Sequence, residues 1–410
     1  MATEVKVDVD PAEVGFDEER LRRIDRRFAR YVEDGLLPGY LAVVSRHGRI
    51  AHVASHGNRD VEAGAPVEPD TIWRIFSMTK PITSVAAMTF VEEGLIDLTD
   101  PISRWLPEFA APRVYTKGSA QAPVTVPATE PIRLWHLLSH TSGLTYGFHH
   151  THPVDAAYRA AGHEWGTPPG LDLAACTRAW AELPLVFQPG SEWNYSVATD
   201  VLGRLVEVLA GKPLDEVFAE RILGPLGMVD TGFWTDDTDR LAALYLPTPG
   251  TRKIVRNEAF GALGTAAPDC FSGGGGLVST AADYHRFTQM LLRGGELDGV
   301  RILGPRTVAL MASNHLPGRV DLEAYGRPLF AEMPFDGYGF GLGFSVLEDQ
   351  VKAKTLATPG EYAWGGAAST AFWVDPAKGL TAAFYTQLLP SSTHPIRQQL
   401  RQLVYQALLD

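Results

Sequence analysis

Long apolar runs and cysteines are scarce in this 410-residue sequence. Residues 1–16 are polar and acidic, and no later stretch is long enough to cross a bilayer, which predicts a soluble, cytoplasmic protein. The only two cysteines, Cys176 and Cys270, lie in different segments and show no metal-ligand spacing. The sequence therefore predicts buried free thiols, with neither a disulfide framework nor a metal site.

Basic residues are also fewer than acidic ones: the sequence has 36 lysines and arginines and 48 aspartates and glutamates, which gives a formal net charge of -12. No basic run or face offsets this excess, which argues against a nucleic-acid or anionic-membrane partner. We expect a small-molecule partner that is not strongly anionic, while the oligomeric state is left open. The glycine run 273–276 lacks the lysine and hydroxyl residue of a phosphate loop, so it predicts a flexible turn and no nucleotide or other cofactor.

The periodicity of the apolar residues changes twice along the chain. A helix capped by Asp17 precedes two strand-like runs, 40–45 and 50–55, joined by a compact hairpin turn. A long, mostly helical region follows, and it includes an exposed loop expected at 110–130 and a helix at 213–228. The predicted elements of the C-terminal part are strands at 339–347, 367–374 and 380–386 and a helix at 395–408.

This order of elements predicts an α+β fold, because strands from both ends of the chain most simply form one antiparallel sheet. The N- and C-terminal helices would flank that sheet, and the large helical region would be inserted beside it. We expect a sheet domain of residues 1–96 and 335–410 and an inserted domain of residues 97–334. Ligands usually bind in the cleft between two such regions.

Ser77 lies where an apolar, strand-like run reaches a helix start, and Lys80 follows three residues later on the same face of the helix. The positive end of the helix and burial both disfavour the ammonium form of Lys80, and a neutral amine can accept the serine proton. A serine hydroxyl needs such a base to become a good nucleophile. The alternative is a capping serine beside a solvated lysine, since this spacing also arises by chance.

Three other segments carry polar groups that could take part in chemistry. Tyr195 immediately precedes a helix that ends at Gly211, and packing alone could place a tyrosine there. Residues 139–144 contain a histidine and hydroxyl groups but predict a tight structural turn. The histidines at 149, 150 and 152 lie among aromatic residues and predict an aromatic-lined loop over a pocket rather than a metal site.

Three separated stretches, 77–80 (Ser77-Met78-Thr79-Lys80), 195–197 (Tyr195-Ser196-Val197) and 364–367 (Trp364-Gly365-Gly366-Ala367), resemble the three signatures of the serine β-lactamase and penicillin-binding-protein superfamily. The pattern is most similar to the family VIII carboxylesterases, whose third motif carries Trp-Gly-Gly in place of Lys-Thr-Gly. The resemblance covers nearly the whole chain. It implies the β-lactamase/DD-peptidase-like form of the α+β fold described above.

The resemblance also implies roles for these residues. Ser77 would be the nucleophile, and Lys80 and Tyr195 would share the general-base and general-acid work. The oxyanion would lie between the backbone N–H groups of Ser77 and Ala367, and Trp364, Gly365 and Gly366 would contact the substrate. This agrees with the residues themselves, since a helix start supplies one preorganised donor and a glycine pair permits close approach.

Two departures from the lactamase pattern shape the expected activity. Val197 stands where that branch carries asparagine, and Trp364 replaces the cation that would meet a β-lactam or peptide carboxylate. We therefore expect a carboxylesterase acting on short-chain or hydrophobic, uncharged esters through a Ser77 acyl-enzyme. An acyltransferase with an alcohol or amine acceptor, a weak β-lactamase or peptidase, and a non-catalytic penicillin-binding-type domain are the alternatives. The Gly-x-Ser-x-Gly elbow of α/β-hydrolases is absent.

Overall fold

The computed structural model describes residues 4–251, 253–327 and 335–409. Strands in these residues form one large sheet and four two-stranded ribbons. In chain order the strands are β1 (Gly39–Arg46), β2 (Arg49–Asp60), β3 (Ala65–Pro66), β4 (Ile72–Arg74), β5 (Arg113–Gly118), β6 (Pro123–Pro127), β7 (Tyr245–Pro247), β8 (Ile254–Arg256), β9 (Val278–Thr280), β10 (Glu296–Leu297), β11 (Val300–Arg301), β12 (Tyr338–Phe340), β13 (Ser345–Leu347), β14 (Tyr362–Gly365), β15 (Ala371–Asp375) and β16 (Leu380–Tyr385).

Helices surround the large sheet and fill the middle of the chain. The α-helices are α1 (Glu18–Leu21), α2 (Arg23–Glu33), α3 (Thr79–Glu92), α4 (Leu134–Leu138), α5 (Pro153–Ala160), α6 (Leu173–Ala181), α7 (Ala198–Ala210), α8 (Leu214–Phe218), α9 (Gly224–Leu226), α10 (Glu258–Gly261), α11 (Ala281–Leu292), α12 (Pro305–Met311), α13 (Leu322–Tyr325) and α14 (Ile396–Tyr405). No helix in the described ranges is long and apolar enough to span a membrane, and the cytoplasmic location stays a prediction.

The large sheet joins the two ends of the chain, as the sequence predicts. Its strand order is β12-β13-β14-β15-β16-β1-β2-β3, and every pair is antiparallel. The last strand along the chain, β16, pairs with the first, β1, with Val43 opposite Ala383. The predicted α+β fold is therefore confirmed. The predicted domain boundaries stay predictions, and residues 328–334, at the end of the expected inserted domain, lie outside the described residues.

Helices cover both faces of the sheet. On β15, Phe372 packs on Tyr284 of α11, with ring centroids 5.1 Å apart, whereas the next residue, Trp373, stacks on Tyr405 of α14. Successive residues of a strand point to opposite faces, so α11 and α14 lie on opposite sides. Helix α2 shares the side of α14 and packs the buried Phe28 against Phe384 of the sheet.

The structure corrects two of the expected C-terminal elements. The single strand expected at 339–347 is two strands, β12 and β13, because the chain reverses between them with Gly343 at a φ of +102°. The strand expected at 367–374 begins only at Ala371, and Trp364 and Gly365 lie in a separate strand, β14. The turn of residues 366–370 therefore separates two strands of the sheet.

One expectation in the helical region is also corrected. The exposed loop expected at 110–130 contains the hairpin of β5 and β6, whose Pro123 and Pro127 lie at strand ends where a missing N–H is tolerated. The helix expected at 213–228 is present and runs continuously through α8, a π-helical turn at Ala219–Leu223, and α9. Cys176 and Cys270 are buried free thiols, and the fold brings these distant residues together, so that Cys176 and burial raise the pKa of Cys270.

Candidate active site

Ser77 sits at a sharp junction between β4 and α3. Strand β4 pairs with β9, and the Ile75 N–H continues this pairing by donating to the Leu277 carbonyl at 3.1 Å. A 3₁₀ turn, Phe76–Met78, then leads into α3. Phe76 has a φ of +44°, which is rare and strained for a bulky residue and is often found next to functional groups. The junction leaves the Ser77 side chain half-buried, facing Lys80 and Tyr195.

Lys80 reaches Ser77 as the helix spacing predicts. Its Nζ lies 3.1 Å from Ser77 Oγ, and the residue is only 2% exposed. The same nitrogen lies 3.2 Å from the Tyr146 hydroxyl and donates to the Gly274 carbonyl at 2.7 Å. These three oxygens can each accept one proton of a charged ammonium, and a neutral amine would instead offer its lone pair to one of the two hydroxyls.

Asp200, on α7, holds the glycine turn that contacts Lys80. Its Oδ1 accepts the Gly274 N–H at 2.9 Å and the Ser272 hydroxyl at 2.5 Å. Any side chain at Gly274 would collide with this carboxylate, since a Cβ there would lie 2.4 Å from Oδ2. The run 273–276 is thus a packed structural element beside the lysine, although the sequence suggested only a flexible turn. Burial raises the pKa of Asp200, and the nearby Lys80 charge and the hydrogen bonds oppose that shift.

Tyr195 completes the group around Ser77. Its hydroxyl donates to Ser77 Oγ at 2.6 Å, and Lys80 Nζ lies 4.5 Å from the centre of its ring. The backbone around it is fixed by two contacts from the 139–150 segment. The His140 carbonyl accepts the Asn194 N–H, and His149 Nε2 donates to the Tyr195 carbonyl at 2.6 Å. The structure therefore brings all three predicted polar residues together.

The buried groups next to this trio are held in their neutral forms. Burial, with the charges of Asp200 and Tyr195, raises the pKa of Tyr146 well above its ordinary value, so Tyr146 is a phenol and not a phenolate at neutral pH. Burial and the positive charge of Lys80 lower the pKa of His140 well below its ordinary value. His140 is therefore an uncharged ring that packs on Tyr195 with centroids 5.0 Å apart.

The third predicted motif approaches the Ser77 junction through the turn that follows it. Trp364 and Gly365 end β14, and the turn of residues 366–370 follows. A Cβ at Gly366 would lie 2.4 Å from the Ile75 carbonyl, so only glycine lets this turn approach the Ser77 junction so closely. Ala367 is exposed in the turn rather than on a strand, which corrects the expected source of its N–H but keeps it beside the junction.

Aromatic side chains line the surroundings of the trio on two sides. Trp364 packs against Tyr195 and Phe340, with ring centroids 5.5 Å and 5.3 Å apart. On the other side a second row leads from Tyr146 to the surface through stacked or edge-on contacts. Its members are Tyr146, Phe148, Trp165 and Phe260. Trp165 is 62% exposed, so this row of aromatic rings extends from the buried Tyr146 to the protein surface.

The histidine-rich segment does not converge on a metal. His149 donates to Tyr195, His152 caps α5, and His150 lies near Glu164 at 3.5 Å. Within the residues that the structure describes, no group of three or more histidine, cysteine, aspartate or glutamate side chains is arranged to hold a metal ion.

Sequence reasoning missed Tyr146, Asp200 and Gly274 as neighbours of Lys80. The aromatic character of the 146–165 segment hinted at a pocket lining, but nothing in the local sequence places a hydroxyl beside the lysine. A backbone carbonyl acceptor such as Gly274 leaves no signature in the sequence at all, and Asp200 reads as an ordinary first-turn acid of α7.

Comparison with known proteins supports the resemblance to the β-lactamase superfamily over most of the chain. A family model described as Beta-lactamase matches residues 24–406. An uncharacterized protein of Mycobacterium tuberculosis (strain CDC 1551 / Oshkosh) is 40% identical over 87% of this chain and 87% of its own length. Esterase EstB of Burkholderia gladioli is 33% identical over 97% of this chain and 98% of EstB. The solved structure of EstCE1, described as a hydrolase with promiscuous acyltransferase activity, matches with a TM-score of 0.78 and 31% identity, over 94% of this chain and 98% of its own.

Proposed function

The chain belongs to the beta-lactamase family and is a serine hydrolase, and we propose that it is a carboxylesterase in which Ser77 carries the acyl group. The observation that supports this most directly is the convergence of Tyr195 and Lys80 on one hydroxyl oxygen, at 2.6 Å and 3.1 Å. Both distances are within the reach required of a proton-transfer partner.

In the proposed acylation step, Ser77 Oγ forms a bond to the ester carbonyl carbon. Its proton passes to the pair formed by Lys80 and Tyr195, and the carbonyl oxygen becomes an oxyanion. The backbone N–H groups of Ser77 and Ala367 are the proposed donors to that oxygen. The carbon–oxygen bond to the alcohol then breaks, and the leaving alkoxide takes a proton from Tyr195 as the acyl-enzyme forms.

Deacylation repeats these steps with water in place of the serine. The water oxygen attacks the acyl carbon, its proton goes to the same pair, and Ser77 recovers a proton as it leaves. An alcohol or amine that enters instead of water would receive the acyl group, and the acyltransferase alternative differs only in this step. EstCE1 carries both activities in its description, so this alternative is favoured by a specific relative.

The proposed substrate is an uncharged ester with a hydrophobic acyl or alcohol group. Trp364 and the row from Tyr146 to Phe260 present ring faces rather than charges, and burying apolar surface against them gains about 25 cal/mol per Å². A β-lactam carboxylate would need a cation to replace its lost hydration, and the third motif offers an indole in that place. A weak β-lactamase or peptidase activity is therefore the less favoured reading, and a purely non-catalytic binding domain is less favoured still.

Aryl esters of graded acyl length, a chromogenic cephalosporin and added acceptor alcohols would test the proposal together. We expect Ser77→Ala to abolish ester turnover while the thermal midpoint stays unchanged, and Lys80→Ala to be nearly as damaging because the two act as a unit. Ser84→Ala, on the same helix but with its hydroxyl against Gly343, is the matched control and should remain active. Full activity of a folded Ser77→Ala protein would refute the mechanism.

A further inference from the structure

Arg397, near the start of α14, contacts the turn that follows the third motif. One of its guanidinium nitrogens, Nη2, donates to the Gly366 carbonyl at 2.8 Å and to the Thr370 carbonyl at 3.1 Å. These two residues are the first and last of the turn, and the Gly366 N–H also donates to the Thr370 carbonyl at 2.9 Å. A single cation on the last helix thus joins both ends of the turn that carries Ala367.

The same turn is fitted closely to the Ser77 junction. The Ser369 N–H donates to the Gly366 carbonyl at 3.2 Å, and Ser369 takes a φ of +68°, which closes the turn. The Thr370 hydroxyl lies 3.5 Å from the Ile75 carbonyl, just before the turn that presents Ser77. The turn therefore cannot move as a unit without disturbing contacts to both α14 and the junction.

The Gly366 carbonyl and the Ala367 N–H belong to one peptide unit. This peptide bond is trans, so its carbonyl and its N–H point in opposite directions. A group that holds the carbonyl on one side fixes the direction of the N–H on the other side. In the described residues, no protein acceptor is found for the Ala367 N–H.

We propose that Arg397 is a positioning residue for the oxyanion hole: it holds the Gly366 carbonyl so that the Ala367 N–H on the opposite side of the same peptide points at the oxyanion. This rests on the proposed function, in which Ala367 is one of the two donors. Arg397 acts from behind the peptide and does not touch the substrate.

Two physical effects combine in this arrangement. Geometric fixation matters because an oxyanion donor stabilises the transition state only when it is already aimed at the developing charge. Charge also matters, since a guanidinium stays protonated at any working pH and its hydrogen bond polarises the peptide, which strengthens the N–H as a donor. A neutral side chain with a donor group would supply part of the first effect and little of the second.

A matched pair of an ester and its thionoester provides the test, because a developing sulfur anion is a much weaker hydrogen-bond acceptor than an oxyanion. We expect the wild type to prefer the ester strongly, and Arg397→Met to lose about tenfold to a hundredfold in kcat/KM for the ester, with a much smaller loss for the thionoester. The ester-to-thionoester ratio should therefore fall. Arg397→Lys, which keeps the charge, should recover part of the ratio.

Arg20→Met is the matched control. Arg20, on α1, also donates to a backbone carbonyl, that of Gln406 at the C-terminal end of α14. It should leave the ratio unchanged. If Arg397→Met does not fold, Arg397→Gln replaces it and should lower the ratio in the same direction. An unchanged ratio in a folded Arg397 variant, even with a lowered thermal midpoint, would overturn the proposal. A wild type that neither turns over esters nor is labelled at Ser77 by an aryl phosphonate would instead refute the proposed function.

Discussion

The Tyr195 hydroxyl lies 2.6 Å from Ser77 Oγ, closer than Lys80 Nζ at 3.1 Å. The phenol is thus the nearer proton partner of the serine, and Lys80 sits over the face of its ring, 4.5 Å from the centre. A hydrogen bond of this length between the phenol and the serine suits a group that gives up and regains a proton.

Tyr195→Phe removes this proton partner and keeps the ring. We expect turnover of esters with poor leaving groups to fall about a hundredfold or more, the usual size of a general acid–base contribution, with the fold retained. Activated aryl esters should lose less, because their leaving groups need little protonation. Comparing kcat for alkyl and aryl esters of the same acid measures the difference. Full activity on alkyl esters would make Lys80 the sole relay.

Asp200→Ala should weaken the site through the glycine turn. The substitution leaves the Gly274 N–H and the Ser272 hydroxyl without their acceptor in a buried place, which costs about 1–3 kcal/mol of stability. We expect kcat to fall about tenfold to a hundredfold, because the Gly274 carbonyl no longer holds Lys80 in place. Asp200→Asn, which keeps one acceptor, should lose less. Wild-type kcat in folded Asp200→Ala would show that the turn does not position Lys80.

Trp364→Lys tests why esters should be preferred over β-lactams. An unpaired buried carboxylate costs several kcal/mol, and a lysine in place of the indole would supply a cation at this position. We expect the ratio of kcat/KM for a short-chain aryl ester to that for a cephalosporin to be large in the wild type and to fall in the variant. Loss of the indole contact with Tyr195 should also lower ester turnover. If the ester-to-cephalosporin ratio does not change in the variant, Trp364 is not the cause of the preference for esters.

His136 should make stability depend on pH. Burial, and then the charge of Arg133, lower its pKa to about 4, below the 6.5 of an exposed histidine. The unfolded chain therefore binds more protons than the fold between those values, so the free energy of unfolding should decrease as pH falls from 6.5 to 4, by about 1.4 kcal/mol per pH unit. Above pH 6.5, His136 should no longer change the free energy of unfolding.

His136→Asn provides the comparison, because asparagine can still accept the Arg133 N–H but does not titrate. Urea unfolding at several pH values should show a shallower decrease for the variant. Asp283, whose pKa burial raises to about 6, changes stability in the opposite direction, but it is present in both proteins. Parallel pH dependences in the two proteins would contradict the assignment.

The sequence predicts the parts of this site that depend on local spacing. Ser77 and Lys80 are three residues apart on one helix, so their contact follows from helix geometry, and the pairing of both chain ends in one sheet follows from element order. The contacts of Gly274 and Arg397 could not be predicted, because each joins segments far apart in the chain through a backbone carbonyl. Strand β14 was missed because the two glycines at its end resemble a turn, and the hairpin of β5 and β6 because its exposed faces carry loop-like residues.

The position of β16 between β15 and β1 has a consequence for how the protein is made. Ribosomes release the Ser77 junction early and the third-motif turn late, so a nascent chain carries its proposed nucleophile long before the proposed second donor of the oxyanion hole is made. Until β16 emerges, the edge of β1 also lacks its neighbour, and an unpaired edge invites association with other chains. Under the proposed mechanism, a newly synthesised chain therefore cannot complete its active site, and keeps the edge of β1 exposed, until its last strands join the first.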